Sequence, residues 1–355
     1  MIIQLFLDKF FMKFLLQAHH LYQFRLKFQH SLVGIVMFFL GSGNFIELSA
    51  QDPVYSQFMF NQVCFNPAFA GSSPYPRVAS GYRNQWPGID KAYVSYYASY
   101  DQFVNWLDGG LGINISRDVQ GKGVFSKTAM DLMYSFPIEI NGDLIVNFGI
   151  QGSLVQKKLS GASLVLPDQD PYQGTSQQEI IPDQSKLYPD FSAGTTFRIK
   201  EQYQINFSVY HLNTPNEMIG AEKFSTPVSY NFQLLGQFPG NQKNRNEKKT
   251  TTLQPGLMVQ LQKANTYFGW GSNISVAPFI GGLWLRNNFS LNFNTFIILV
   301  GYVHSGLSLV YSYDLWVPKA DQGFKNYGAH EVTFTYLFQY NDPRKKMRIV
   351  KCPKF

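Results

Sequence analysis

Charge is scarce in this 355-residue chain. Asp, Glu, Lys and Arg make up 15% of it, against about a quarter in an average soluble domain. Cysteine is nearly absent: Cys64 and Cys352 are too few for a disulfide framework or a thiolate metal cage, and unpaired thiols are the expectation. If both ends of the chain sit in an oxidising compartment, the two could instead pair. Of six histidines only His211, His304 and His330 follow the first fifty residues, and none stands at metal-ligand spacing from another His or Cys. Apolar runs of about 20 residues are missing and the mean hydropathy is −0.15, which excludes a helical membrane protein. No 20–50-residue repeat stands out, which weighs against propellers and solenoids. The net charge of +7 falls to +5 without the four basic and two acidic residues of 1–50, and with no basic nucleic-acid fold this gives no reason to expect nucleic acid as a partner.

What the chain has in abundance is aromatic residues, 16% of the total with 32 Phe and 21 Tyr, interspersed with Gly, Ser, Asn and Gln. That is the composition of a transmembrane β-barrel, whose strands alternate apolar-out and polar-in. A soluble β-sandwich or propeller is the competing reading.

The first fifty residues have the layout of a secretory signal. Lys9, Lys13, Arg25 and Lys27 precede an apolar run, Leu32 to Leu40, and Leu48-Ser49-Ala50 offers small residues for cleavage. The presequence is long, and Met12 is an alternative start. An uncleaved N-terminal membrane helix is the other option, for which the apolar run is short.

Beyond it, fourteen extended runs follow one another. They start at Val78–Arg83 and Ala92–Gln102 and end at His330–Tyr340. Each is about the ten residues a tilted strand needs to cross a bilayer. In Gln202–His211, Tyr203, Ile205, Phe207 and Val209 oppose Gln204, Asn206 and Ser208. Asn141-Gly142-Asp143 is a strong short-hairpin signal. With the strands alternating up and down from a periplasmic N-terminus, the short Asn141–Asp143, Lys200-Glu201 and His304-Ser305 turns share one end, the periplasmic one. The long Gly161–Leu187, Thr214–Pro227 and Trp316–Ala329 stretches share the other. Pro239–Lys249 fits this sorting poorly. The domain division expected is a presequence (1–50), a periplasmic or plug segment (51–77), an antiparallel all-β transmembrane barrel of about 14 strands (78–340) and a basic periplasmic tail (341–355). Small polar residues, rather than opposed Arg and Asp/Glu ladders, are expected to line the lumen.

Several strings occur in order: Asn66-Pro67-Ala68-Phe69-Ala70-Gly71, Tyr82-Arg83-Asn84-Gln85-Trp86-Pro87-Gly88, Tyr97-Ala98-Ser99-Tyr100-Asp101-Gln102 and Gly109-Gly110-Leu111-Gly112. Later come Phe148–Gln151, His211–Asn216, Tyr311-Ser312-Tyr313-Asp314, His330-Glu331 and the terminal Cys352-Pro353-Lys354-Phe355. Together they resemble the PorP/SprF family of Bacteroidetes outer-membrane proteins over essentially the whole mature chain. The resemblance implies a β-barrel of the type IX secretion and gliding machinery. Its implied partners are secretion-system subunits and a secreted surface protein or adhesin, with outer-membrane lipid around it. The family positions singled out are Asn66, Pro67, Phe69, Gly71, Tyr82, Arg83, Asn84, Gln85, Trp86, Asp101, His211 and Asp314.

Chemistry for catalysis or cofactors is not in evidence. A Ser-His-acid site as in a membrane hydrolase would use His211 or His330, yet no Ser stands in a nucleophile's context. Asp168-Gln169-Asp170 reads as a solvated loop rather than a calcium site. Gly109-Gly110 and Gly281-Gly282 precede no helix and so bind no phosphate; they relieve crowding or bend strands. Basic residues gather at Lys243, Arg245, Lys248 and Lys249 and in the tail, including Lys345, Lys346 and Arg348. They either solvate the periplasmic rim or, with residues 51–77, form a dock for an acidic partner. The function expected is a non-enzymatic, cofactor-free barrel supporting export or anchoring; the alternative is a porin-like solute channel.

Overall fold

The structure is a computed structural model describing residues 53–161, 182–200, 202–217, 219, 225–240, 251–263, 265–288, 293–316 and 328–339. Fourteen antiparallel strands close into a barrel. They are β1 (Arg77–Gln85), β2 (Tyr93–Val104), β3 (Gly109–Gln120), β4 (Phe125–Asn141), β5 (Leu144–Leu159), β6 (Gln184–Ile199), β7 (Tyr203–Tyr210) and β8 (Ser229–Gly236). A two-residue strand, β9 (Phe238–Pro239), lies outside the ring against β10 (Thr251–Gln262). The ring continues through β11 (Asn265–Val276), β12 (Phe279–Asn288), β13 (Phe293–His304), β14 (Leu307–Trp316) and β15 (Ala329–Leu337). β15 pairs with β1 from Arg77↔Leu337 to Gln85↔Ala329, so no strand edge of the ring is left open. Lipid cannot satisfy a free edge, and closure is what permits the fold to stand in a bilayer.

Two-residue alternation dictates the wall. Along β13, Ile298 and Val300 face outward while Ile297 and Leu299 are buried inside; along β5, Phe148, Ile150 and Leu154 face outward. The tight hairpin at Asn141-Gly142-Asp143 forms, with the Asp143 amide donating to Asn141 Oδ1 at 3.0 Å. The first long connection turns at Trp86, whose carbonyl accepts from Ile89 N at 2.9 Å. Proline within a strand removes a ladder donor, and three strand prolines sit where one neighbour is missing. Pro137 lies past the last β3–β4 pair, Gly110↔Ser135. Pro189 lies past the last β6–β7 pair, Ala193↔Val209. Pro255 lies just outside the β8–β10 ladder, which begins at Gly256↔Leu235.

Strand lengths are uneven. β4, β5 and β6 run 17, 16 and 16 residues, whereas β1 and β15 run 9 each. The β5–β6 ladder continues to Leu159↔Gln184, well past the point where β7 stops.

The expected lumen of small polar residues needs correction on two counts. On the β8–β14 side, Leu235, Met258, Ile280, Trp284, Ile297, Leu299 and Val310 point inward and are buried. Tyr97 also points inward, lies over Gly81 and shares a 3.0 Å hydrogen bond with Thr333 Oγ1. Charged residues stand among them, as described below.

The outward stripe is specific to a hydrocarbon environment. Ile298→Arg, near the middle of β13, is expected to lower unfolding free energy in lipid vesicles by about 2–4 kcal/mol, measured by urea titration; an unchanged midpoint would contradict the lipid-facing assignment.

Candidate functional site in the barrel lumen

Residues 53–76 enter the lumen, and from Tyr55 to Ser73 all except Cys64 are buried. The segment lies inside the barrel, its side chains packed against the barrel's own wall. The segment contains one helical turn, α1 (Gln62–Phe65), and a 3-10 turn, Pro67–Phe69. Asn66 starts the second: its Oδ1 accepts from Ala68 N at 2.9 Å while Pro67 occupies the first helical position with no amide to leave unpaired.

The segment's two halves are held differently. In the first, Tyr55, Phe58, Met59, Phe60 and Phe65 pack against the apolar inner wall. Phe58 meets Trp284 edge to face at 5.1 Å, and Tyr55 meets Tyr97 at 5.3 Å. Beside this cluster lies a charge network drawn from four strands. Glu331 on β15 receives the amides of Ser56 (2.8 Å) and Gln57 (3.1 Å), and Gln57 Nε2 donates to the Glu331 carbonyl and to Ser312 Oγ. Arg83 on β1 donates to Glu331 (2.8 Å) and Asp314 (2.7 Å), and Arg286 on β12 donates to Asp314 at 3.0 Å. Ser56 Oγ donates to Asp314 at 2.7 Å and accepts from both arginines. Arg83 and Glu331 are direct partners across the β15–β1 seam. Two arginines face two carboxylates, so the buried charge balances. Removing one member would strand its partner in a poorly solvated interior.

In the second half, backbone lies on backbone. A Cβ added at Gly110 would fall 1.9 Å from Ala70 O, one at Gly149 would fall 2.2 Å from Ala68 N, and one at Gly194 would fall 2.1 Å from Asn66 Oδ1. Side chains between these glycines bind the segment's polar atoms. Ser135 Oγ donates to Ala70 O (2.5 Å), Asn147 Nδ2 to Ala68 O (3.3 Å), Ser208 Oγ to Phe65 O (2.8 Å) and Tyr210 to Cys64 O (3.0 Å). Asn66 Nδ2 donates to the carbonyls of Thr195 and Phe207. Gly71, at φ +61, donates its amide to Asp101 Oδ2 at 2.9 Å, and the same carboxylate pairs with Arg77 at 2.8 Å.

The residues singled out from sequence thus divide. Asn66, Pro67, Phe69 and Gly71 belong to the segment; Arg83, Asp101 and Asp314 are wall residues that hold it. Tyr82 faces outward against Tyr96. Asn84 sits half-buried on β1, paired with His330 and Val94. Gln85 and Trp86 line a cavity of about 370 Å³ at the long-connection end, with Arg83, Arg286, Asp314 and Trp316. His211 follows β7, its Nδ1 2.6 Å from the buried Asp190. Both border a second cavity of about 160 Å³ beside Tyr55 and Phe65. Lys243, Arg245, Lys248, Lys249, Lys345, Lys346, Arg348, Cys352 and the Asp168–Asp170 loop lie outside the described residues. Glu331, Arg286, Ser56 and Gln57 were missed as site residues. The signal for the first two was their inward parity: Arg286 follows Ile280 and Trp284, and Glu331 shares its face with Thr333 and Thr335. Among the described residues, no group of three His, Cys, Asp or Glu side chains is placed to hold a metal. Cys64, half-buried at its surface, donates to Asn114 Oδ1 at 3.3 Å, and desolvation inside the lumen raises its thiol above the usual range.

A closed antiparallel barrel with an apolar outer stripe and a lumen filled by its own chain is an outer-membrane-type barrel. Residues 47–336 match the family described as type IX secretion system membrane protein PorP/SprF, and the chain belongs to that family. No curated protein matches. Solved structures of similar architecture include the Ralstonia pickettii toluene transporter TbuX, at 9% identity and TM-score 0.43, covering 79% of this chain and 94% of that one. The P. putida toluene transporter TodX is similar at 9% and 0.41, covering 78% and 93%. The Acinetobacter baumannii outer membrane protein Omp33 is similar at 5% and 0.39, covering 76% and 100%.

Glu331→Gln is expected to cost roughly 3–5 kcal/mol, because Arg83 and two segment amides lose their charged acceptor; urea unfolding of the detergent-solubilised barrel reads it. In a Cys352→Ser background at pH 8.5, Cys64 of the folded barrel is expected to react with iodoacetamide at least about a hundredfold more slowly than in urea, since only the thiolate reacts. Equal rates would place the thiol in water.

Proposed function

We propose that this barrel is a non-enzymatic component of type IX secretion that supports export or surface anchoring of secreted proteins. It acts as a scaffold rather than a conduit. The observation that carries the reading is the occupied lumen, which residues 55–73 fill with aromatic packing, a balanced charge network and backbone contacts. Family membership supplies the secretion system. The partners this reading requires are secretion-system subunits and a secreted surface protein or adhesin, with outer-membrane lipid around the wall. The chain is exported to the outer membrane of a Gram-negative bacterium with a cleaved signal peptide, and its long connections face outward.

On this reading the tail is the remaining candidate dock for a periplasmic acidic partner. Charge reversal at Lys345, Lys346 and Arg348 is expected to abolish co-purification of periplasmic partners at unchanged barrel level; unaltered co-purification would remove the tail from the proposal. Reconstituted in planar bilayers, the protein is expected to be silent. A large steady conductance would favour the porin-like solute channel instead.

A further inference from the structure

The lumen wall carries a row of small residues in strict register. Gly110 on β3 pairs with Ser135 on β4, Ser135 with Gly149 on β5, Gly149 with Gly194 on β6, and Gly194 with Ser208 on β7. Directly opposed residues share a face, so the five positions form one continuous rail across five strands. Segment residues 65–71 lie along this rail. Gly110 and Gly149 make room for segment backbone and Gly194 for the Asn66 side chain, and the two serines bind carbonyls. Asn147, Tyr210 and Asp101 extend the same pattern of side chains reading segment backbone.

We infer that this rail is a peptide-binding site whose ligand is the chain's own Asn66–Gly71 segment, and that the barrel requires this ligand in order to close. Two further observations carry the second clause. Without the segment, Trp284, Ile297, Leu299 and Val310 would line an open lumen, and burying such apolar area is the main favourable contribution to folding. The segment also spans the closure. It is covalently continuous with β1, while Ser56 and Gln57 bind Asp314 on β14 and Glu331 on β15. The last strands are thereby recruited to the first before their own ladder can form. A removable plug would need none of this, only a fit to a wall that already stood.

The experiment uses the full chain with a protease site inserted between Ser73 and Pro74, where the exit at Pro74–Pro76 is half-exposed. Cut after folding, the fragment is expected to stay with the barrel through gel filtration, and the barrel to keep its heat-modifiable migration. After separation in urea, the barrel piece is expected to stay unfolded on dilution into detergent. A synthetic peptide of residues 53–73 at about 100 times its Kd should raise the folded-to-unfolded ratio about a hundredfold, and the peptide carrying Asn66→Ala and Gly71→Val should not. In the uncut chain, Gly194→Ala should lower the refolding yield. Gly152→Ala, whose added Cβ would make only an ordinary 3.9 Å contact with Phe191, should leave it unchanged. The inference is overturned if the cut fragment leaves an intact barrel, or if the barrel piece refolds equally well without peptide. Equal yields for the Gly194→Ala and Gly152→Ala chains would overturn it too.

Discussion

Everything inside this barrel depends on backbone approaching backbone at Gly110 and Gly149. A strand wall is ordinarily kept at a distance from whatever fills it by a layer of side chains. Here that layer is deleted along one rail, so the amide of Ala68 and the carbonyl of Ala70 lie against the wall itself. A segment seated this deeply needs partners for its backbone polar atoms, and the wall supplies several of them. Ser135, Asn147, Ser208 and Asp101 are four such partners. The position of the rest of the segment follows. With Asn66–Gly71 fixed, the preceding residues are directed across the lumen onto the apolar β10–β14 wall and end on the charge network at the seam.

That network resolves an apparent conflict between a membrane protein poor in charge and a lumen containing buried arginines and carboxylates. Few charges are present, but four of them are concentrated at one point where strands from both ends of the chain meet. Each is satisfied by an opposite charge or by segment amides. The result resembles the interior of a soluble protein more than a channel: an apolar cluster, a balanced ion cluster and tightly packed main chain. The lumen is a core, and this is the physical basis for reading the molecule as a scaffold.

The strands were legible in the sequence because lipid outside and a filled interior inside impose a period of two on each one. The fourteen runs from Val78–Arg83 to His330–Tyr340 each have their counterpart in the ring, shifted at the ends by a few residues. The interior was not legible in the same way. Arg83, Arg286, Asp314 and Glu331 are isolated in sequence and become neighbours only when β15 meets β1. The glycine rail has its period around the circumference of the barrel rather than along the chain, so Gly110, Gly149 and Gly194 look like scattered strand glycines. The segment itself has no period, because a plug alternates neither as a strand nor as a helix. Its motif, Asn66-Pro67-Ala68-Phe69-Ala70-Gly71, stood out only by family resemblance. Its physical sense, a capped turn of small residues thin enough to lie against bare backbone, required the wall to be seen.

The uneven strand lengths have an outcome of their own. At about 3.3 Å per residue, β4–β6 extend over about 53–56 Å of strand, and β1 and β15 over about 30 Å. At the long connections the ends of β15, β1, β2, β3, β4, β5 and β6 stay level in register, from Gln85↔Ala329 through Leu159↔Gln184, so the length that β4–β6 gain over β1 lies at the short-turn end.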